Sequence, residues 1–176
     1  PKDAHSQATN FLTDRTIVDG NMVTTLGADL VEEMNFILEE QYARGFAEQG
    51  IDFKKQTVFM EILVAVDDNP AKTWERIETT RQAFADYFGD DRPAGLIYPV
   101  SRIPNLDSII EPQPRVVSGE VEIHRSGQIE NGFSTWAAFS HHGVREVQVS
   151  AVAGDDASAQ LSTLAARIKE AGGTGL

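Results

Sequence analysis

The chain has 176 residues, 41% of them hydrophobic and 24% charged, and a formal net charge of −12 at pH 7. These values are typical of a soluble globular protein with one sizeable core, or with one domain and part of another. The negative charge argues against a nucleic-acid partner, and the longest apolar run, near residues 57–66, is too short to span a bilayer. Because the sequence contains no cysteine, disulfides and thiolate metal sites are excluded. The absence of cysteine also favours a cytoplasmic protein.

The first predicted element is a helix that begins after Asp29. Asp29 followed by Glu32 is typical of a capped helix start, and Gly50 marks the end. Apolar residues recur between them at helical spacing, which predicts an amphipathic helix. Its buried face is expected to contain Leu30, Met34, Ile37, Leu38, Tyr42 and Phe46.

A strand and a second helix follow. Residues 55–66 are rich in β-branched and apolar residues, and the turn sequence "DDNP" at 67–70 ends the predicted strand. The second helix is expected to start near Thr73, and two extended segments at 94–103 and 108–124 come next. The expected apolar stripe of this helix is Trp74, Ile77, Phe84 and Phe88.

The last third of the chain repeats the start of this pattern. Residues 132–156 predict two short strands around a turn at His142 and Gly143, and residues 157–173 predict a helix. Two strands and one helix bury too little surface to be stable alone. They either complete the first sheet or begin a second domain whose remainder lies elsewhere. The expected stripe of the last helix is Ala157, Leu161, Leu164 and Ile168.

Several motifs together resemble the Rid family, the YjgF-type or endoribonuclease L-PSP-like reactive-intermediate deaminases. "VEEMNFILEEQYARGFAEQGIDFKKQTVFMEILV" and "WERIETTRQAFADYFGDDRPAGLIYPVSRIPN" resemble the family's helix, strand, helix and P-A-R-x-x-V-x-V-x-x-L-P progression. "HSQAT" resembles its Tyr-Ser-Gln-Ala opening and "VDGN" its Val-Ser-Gly-Gln. "GFSTWAAF" and "VQVSAVAG" are similar to that opening again. The resemblance implies a Rid-like domain over residues 5–124 and half of a second one over 125–176, as in tandem chorismatases.

The resemblance also implies a fold and an assembly. The fold is α/β (α+β), chorismate-mutase-like, with a mixed sheet covered on one face by helices. The assembly is a trimer with clefts between neighbouring subunits. In the family an arginine after Pro-Ala binds the substrate carboxylate, and here that position is Gly95. Because glycine offers no charge and no donor beyond its backbone, the usual imine deamination of amino-acid-derived substrates is in question.

Two residues are candidates for activating or orienting water. Glu111 matches the family's pocket glutamate after one inserted residue, and His5 takes the place of its pocket tyrosine. A carboxylate or an imidazole in a cleft can serve as a general base. The alternatives are a solvent-facing strand end for Glu111 and an ordinary terminal surface residue for His5.

Four further residues are candidates for binding substrate. Arg81 and Arg102 are expected to hold an anionic group, and Tyr98 and Asp19 are expected to line the cleft. Arg81 interrupts the apolar stripe of its own helix, although an arginine there can also pack its stem and extend its head to water or to a neighbouring Asp. Glu61 is either a pocket acid, an interface partner or, by default, an exposed residue on an edge strand.

No metal ligand set and no cofactor are expected. His141 and His142 are adjacent, so in a strand they point to opposite faces. Three functions stay open. The first is an enzyme that hydrolyses or deaminates an imine, an enamine or a related small organic acid, a chorismatase-like hydrolase or lyase included. The others are a non-catalytic Rid-like subunit and a ligand-binding regulator.

The expected partners are a small anionic molecule and other protein chains. The assembly is expected to be a homo-oligomer, as a trimer, or a hetero-oligomer with a second Rid-like chain. Nucleic acid and membrane are not expected. Residues 132–176 are predicted to pack against a second polypeptide, or against a cleaved remainder of the same one, that supplies the strand missing from the half-repeat.

Overall fold

The computed structural model of the chain describes residues 6–12, 15–20, 29–103, 108–119, 122–125, 135–141, 144–150 and 156–172. Its strands are β1 (Ser6–Leu12), β2 (Arg15–Gly20), β3 (Thr57–Ala65), β4 (Ala94–Val100), β5 (Ile110–Val117), β6 (Ile123–Arg125), β7 (Thr135–His141) and β8 (Val144–Ser150). Its helices are α1 (Leu30–Phe36), a π-helical segment (Ile37–Ala43), α2 (Arg44–Ala47), α3 (Phe53–Gln56), α4 (Pro70–Phe88) and α5 (Ala157–Glu170). No helix in these ranges is both long and apolar enough to cross a membrane.

The strands form two sheets. The larger sheet has the order β1-β2-β5-β3-β4, in which β3 and β4 are parallel and the other neighbours are antiparallel. The smaller sheet has the order β6-β7-β8 and is antiparallel throughout. The predicted fold class, a mixed sheet covered on one face by helices, is confirmed.

The main core lies between the larger sheet and its helices. The predicted helix start is confirmed, because the Asp29 carboxylate accepts hydrogen bonds from the backbone N–H groups of Val31 and Glu32. The helical run continues through the π segment to Ala47. The rings of Tyr42, Phe46 and Phe53 stack at the end of this run. The predicted buried face is also confirmed, with Met34, Ile37, Leu38, Tyr42 and Phe46 almost fully buried.

Helix α4 departs from prediction at its start. It begins at Pro70 with Asn69 as N-cap, three residues before the expected Thr73. Proline fits the first helical turn because that position needs no N–H donor. Trp74 is 66% exposed, so its place on the apolar stripe was wrong. The buried stripe passes instead through Thr80, whose hydroxyl donates to the Arg76 carbonyl, and continues through Ala83, Phe84 and Phe88.

The smaller sheet packs against one end of the larger one. Val58 and Val117 of the larger sheet form a second buried cluster with Ala137 and Phe139 of β7. The Arg125 guanidinium adds a polar link, because it donates to the carbonyls of Lys54, Lys55 and Thr57. The domain boundary expected between residues 124 and 125 falls inside β6, which pairs with β7.

The two strands and the helix predicted in the last third are confirmed as β7, β8 and α5. The Arg145 Nε–H donates to the Ala171 carbonyl and holds the end of α5 against β8. Leu161 is 67% exposed, contrary to its predicted place on a buried stripe, whereas Leu164 and Ile168 are half-buried. That this unit is half of a second domain, completed by another polypeptide, stays a prediction. The expected turn at His142 and Gly143 lies outside the described residues.

Candidate functional site

The candidate site lies on the face of the larger sheet opposite the helices. On β5, Ile110 and Val116 belong to the core beneath the helices. Because side chains alternate along a strand, Glu111 and Gln113 are on the other face. Strand β3 lies between β5 and β4, so the default interpretation of Glu61 as an edge-strand residue was wrong.

Six residues form two rows across the three strands of the site. Tyr98 of β4, Leu63 of β3 and Glu111 of β5 are directly opposite one another. The next row contains Leu96, Glu61 and Gln113. Neighbouring strands are about 4.8 Å apart, so side chains within one row and across the diagonal are within reach of each other.

Glu111 is the most deeply buried acid of this face. It is 3% exposed. Its Oε1 accepts a hydrogen bond of 2.5 Å from the Gln113 side-chain amide. Its Oε2 is buried and has no hydrogen-bond partner among the described residues. Burying a carboxylate oxygen without a donor costs free energy, and such groups in native proteins often serve a ligand or a reaction.

Tyr98 and Glu61 form a hydrogen-bonded pair beside Glu111. The Tyr98 hydroxyl donates to Glu61 Oε1 at 2.5 Å, across the diagonal between the two rows. This hydrogen bond, together with desolvation and the charges of Glu61 and Glu111, raises the pKa of Tyr98 to about 12. The phenol therefore keeps its proton at neutral pH and directs it at Glu61.

Strand β5 is anchored next to Glu111 from the helix side. The Tyr42 hydroxyl donates to the Pro112 carbonyl at 2.7 Å, and Tyr42 is 2% exposed. Burial, followed by the charge of Glu111, raises the pKa of Tyr42. Glu111 is thus held between Ile110 and Pro112, two buried residues whose positions are fixed by the core.

Arg81 lies on α4, in the helix layer on the other side of the sheet. Its Nε–H and Nη2–H donate to Glu78 Oε2 at 3.0 and 2.8 Å. The guanidinium is thus held by an acid one turn earlier in the same helix, which matches the packing alternative considered from the sequence. Its part in substrate binding stays a prediction.

The other expected site residues are placed as follows. Arg102 follows β4 and is exposed. Asp19 is on β2, where its backbone is opposite Arg115 of β5. His5 lies outside the described residues. Gly95 is buried, and its backbone N–H donates to the Ser150 hydroxyl of β8 at 3.0 Å.

Sequence reasoning missed Gln113, and it gave Glu61 as a pocket acid only as an alternative to the default edge-strand interpretation. Glu61 had a visible signal, since it is a charged residue in the middle of an apolar strand. Gln113 had a weaker one, since it is two residues beyond Glu111 and therefore on the same face of an extended segment. The pairing of β3 with both β4 and β5 was needed to bring these residues together.

Comparisons with known proteins give structural matches only. No protein-family model matches the chain. No curated protein matches it either.

Solved structures of the YjgF/YER057c/UK114 family are similar to this chain. One such structure, from Mycobacterium tuberculosis, is 17% identical over 58% of this chain and 79% of its own, with a TM-score of 0.47. E. coli TdcF with bound serine is 17% identical over 64% of this chain and 87% of its own, with a TM-score of 0.47. A YjgF-family protein from Neisseria meningitidis is 16% identical over 67% of this chain and 97% of its own, with a TM-score of 0.48. The Mycobacterium tuberculosis and Neisseria meningitidis structures carry the YjgF family name, which is also that of the family that the sequence motifs resemble.

Proposed function

We propose that the protein is a small-molecule hydrolase that deaminates an imine or an enamine, with Glu111 as the residue that orients and activates water. One observation carries this proposal. Glu111 is buried, Gln113 fixes one of its oxygens, and the other oxygen has no hydrogen-bond partner among the described residues. A fixed acceptor of this kind matches the requirement for a general base. Glu111 is also the residue that the sequence resemblance gives to the family's pocket glutamate.

The proposed reaction converts an imine and water into a carbonyl compound and ammonia. A water that donates a hydrogen bond to Glu111 Oε2 attacks the imine carbon through its oxygen, and its proton passes to the carboxylate. The carboxylate returns this proton to the nitrogen, which gives a carbinolamine. The carbinolamine hydroxyl then passes its proton through the carboxylate to the nitrogen, the C–N bond breaks as the C=O bond forms, and ammonia leaves. An enamine enters the same sequence after it takes a proton on carbon and becomes the imine.

Tyr98 is proposed to contact the nitrogen of the substrate. Because its pKa is about 12, the phenol stays neutral at physiological pH. Its proton is directed at Glu61, so its oxygen can accept a hydrogen bond from a substrate N–H. Tyr98 and Glu111 lie on either side of Leu63 in one row, about 10 Å apart at their backbones, so a small molecule that contacts both would lie over the Leu63 side chain.

We propose that a second copy of the chain completes the cleft, as the trimer expected from the sequence would. Leu96 supports this, because it is 46% exposed in the row that also contains Glu61 and Gln113. An exposed large apolar side chain beside a polar cluster is typical of an interface. Light scattering at micromolar concentration tests the proposal, and a stable monomer of 19.3 kDa would contradict it.

The deaminase activity is tested with Glu111→Gln. An oxidase generates the imine in the assay, and semicarbazide competes with hydrolysis by trapping it. The enzyme is expected to reduce the semicarbazone signal. The variant should lose about 100-fold or more of the rate, since general-base catalysis contributes about 10²–10⁴-fold. Glu75→Gln, an exposed change on α4, is the matched control. Equal activity in both variants would contradict the role of Glu111.

A second candidate is a ligand-binding protein without turnover. Gly95 favours it, because the position that the resemblance gives to the carboxylate-binding arginine is buried and its N–H already donates to Ser150. This candidate would be favoured over the enzyme by two results together. The unmodified protein would bind a small molecule without hydrolysing it, and Glu111→Gln would weaken that binding.

A further inference from the structure

We infer that Arg115 binds a carboxylate of the substrate and that the site therefore takes 2-imino acids, in which the carboxylate is attached to the imine carbon. This inference rests on the proposed function and names the residue that determines its substrate class. Arg81 and Arg102 were the residues expected in this role from the sequence. The alternation of side chains along β5 points instead to Arg115, which is on the same face as Glu111.

Arg115 lies directly beside the two rows of the site. Glu111, Gln113 and Arg115 alternate with buried residues along β5, so their side chains are on one face of the sheet. Arg115 is opposite Phe59 of β3 and so forms the row next to that of Glu61 and Gln113. It is exposed, so its guanidinium can be directed along the strand towards Glu111 without displacing core side chains.

The separation of Arg115 and Glu111 suits a small molecule with a carboxylate near its reacting carbon. The two residues are four positions apart, which is about 13 Å along an extended strand. An arginine side chain laid along the strand spans about 6 Å of this distance. A hydrogen bond of about 2.8 Å from the guanidinium then leaves about 4 Å for the ligand. That length accommodates a carboxylate joined directly to an imine carbon, but not a longer chain between them.

The charge of Arg115 makes this face compatible with an anion. Glu61 and Glu111 are carboxylates on neighbouring strands of the face, and they would repel a substrate carboxylate in the absence of a cation. A guanidinium gives a carboxylate two parallel, charge-assisted hydrogen bonds. Glu61 is also diagonal to Arg115, about 7–8 Å away at the backbone, so its charge attracts the guanidinium towards the site.

The other candidate positions are less well placed than Arg115. Arg81 is in the helix layer on the opposite side of the sheet, where an acid of the same helix accepts its hydrogen bonds. Arg102 is past the end of β4, and β4 is separated from the strand of Glu111 by β3. Gly95 offers only a backbone N–H, and this group already donates to a hydroxyl of β8.

A purely structural role for Arg115 is the alternative to substrate binding. The backbone of Asp19 on β2 is directly opposite Arg115, and opposite charges at such positions stabilise a sheet. Loss of a structural contact would lower stability, or would lower the turnover of all substrates alike. The test therefore measures how the protein discriminates between two substrates, rather than activity alone.

The kinetic test uses two imines that differ in a carboxylate. An amino-acid oxidase makes 2-imino-4-methylpentanoate from leucine, and a flavin amine oxidase makes 3-methylbutan-1-imine from isopentylamine, each with catalase present. We expect kcat/KM to be at least tenfold higher for the imine with the carboxylate, since hydrogen bonds to a charged group have about this effect. Arg115→Gln should remove that preference and change kcat/KM for the other imine less than twofold.

Two further variants make the kinetic test specific. Arg115→Lys should keep part of the preference, because lysine retains the charge but not the planar pair of donors. Arg44→Gln, a change of an exposed arginine on α2 in the helix layer, is the matched control and should leave the preference unchanged.

A binding test separates this inference from the proposed function, because it needs no turnover. The carboxylate 4-methylpentanoate and its neutral analogue 4-methylpentanamide are titrated into the unmodified protein and followed by ligand-observed NMR. The carboxylate should bind at millimolar concentration and at least tenfold more tightly than the amide. Arg115→Gln should abolish this difference, whereas Glu111→Gln should keep it.

The outcomes of the two tests differ for each claim. Equal losses for both imines in Arg115→Gln and Arg115→Lys would overturn the inference and leave the deaminase proposal standing. Loss of the preference in Arg102→Gln but not in Arg115→Gln would do the same. No turnover of either imine, with Arg115-dependent binding of the carboxylate, would overturn the deaminase proposal and support the inference. A carboxylate that binds no more tightly than the amide would overturn the inference.

Discussion

Replacing Tyr42 by phenylalanine removes one hydroxyl group that links the helix layer to the site strand. That hydroxyl donates to the Pro112 carbonyl at 2.7 Å, and Pro112 directly follows Glu111. The ring itself would stay, stacked on Phe46 and Phe53 at centroid distances of 6.3 and 5.6 Å. The change therefore isolates the hydrogen bond from the packing.

The expected cost is about 2 kcal/mol in the free energy of unfolding. A typical hydrogen bond contributes about 1 kcal/mol, and a buried carbonyl deprived of its donor adds its desolvation cost, for a total of about 1–3 kcal/mol. For a chain of this length, 2 kcal/mol corresponds to a fall in Tm of about 4–8 °C. Glu111 should also become less well fixed, with a fall in kcat that is larger than any change in KM.

Urea unfolding followed by circular dichroism measures this effect. Tyr87→Phe is the matched control, because its hydroxyl donates to Glu39 and to the Leu38 carbonyl in a half-exposed position. Water can replace that donor, so the control should cost at most about 1 kcal/mol. If Tyr42→Phe unfolds within about 0.3 kcal/mol of the unmodified protein, or costs less than the control, the argument that Tyr42 anchors the site strand is refuted.

Three further predictions concern titration and the contact between the sheets. The pKa values of all three tyrosines are raised, that of Tyr98 to about 12, so the tyrosinate absorbance at 295 nm should stay flat through pH 10. The raised pKa of Tyr98 contributes stability that is fully present below the ordinary tyrosine pKa near 10, and this contribution is lost as pH rises through 12. Burial raises the pKa of the Glu33 carboxyl despite hydrogen bonds from the Ser108 side chain and the Ile109 backbone, so this carboxyl stabilises the fold at low pH and that contribution is lost as pH rises. In urea unfolding, the stability of Glu33→Gln relative to the unmodified protein should therefore increase as the pH is raised, and a relative increase as the pH is lowered would contradict this. Arg125→Ala should lower the free energy of unfolding by about 1.5–3 kcal/mol and speed amide hydrogen exchange in β6–β8 more than in β3–β5. An equal increase in exchange in both sheets would show that the three carbonyl contacts of Arg125 do not link them.

Local signals in the sequence were sufficient for most of the elements. The Asp29 cap, the helical spacing from Met34 to Phe46 and the turn after β3 each depend on residues within one or two helical turns. Such signals act through short-range sterics and hydrogen bonds, so they can be interpreted without the rest of the chain. Trp74 was misplaced because the true stripe includes Thr80, a polar residue that satisfies its hydroxyl within the helix.

The site itself depended on contacts that local signals do not contain. Glu111 was found from its place in a family motif, yet its partner Gln113 and the Tyr98–Glu61 pair became visible only with the register of β3 against β4 and β5. Register joins residues that are 37 and 48 positions apart in the chain, since Tyr98 contacts Glu61 and Glu111 is opposite Leu63 only in one alignment. Pairing of this kind is decided by the whole sheet and its core.

The two faces of β5 explain how a costly acid can be kept in place. On the helix side, Ile110 and Val116 are fully buried in the core, at about 1.5–3 kcal/mol for each large apolar side chain, and Tyr42 holds the Pro112 carbonyl. Those contacts fix the backbone of the strand whatever occupies the other face. Glu111 can therefore be held with one oxygen unpartnered, because the free energy it loses is offset by residues that point away from it. A change that weakens the helix side should disturb the site without touching it. For that reason Tyr42, rather than any residue on the face that carries Glu111, gives the most direct test of how this fold positions its acid.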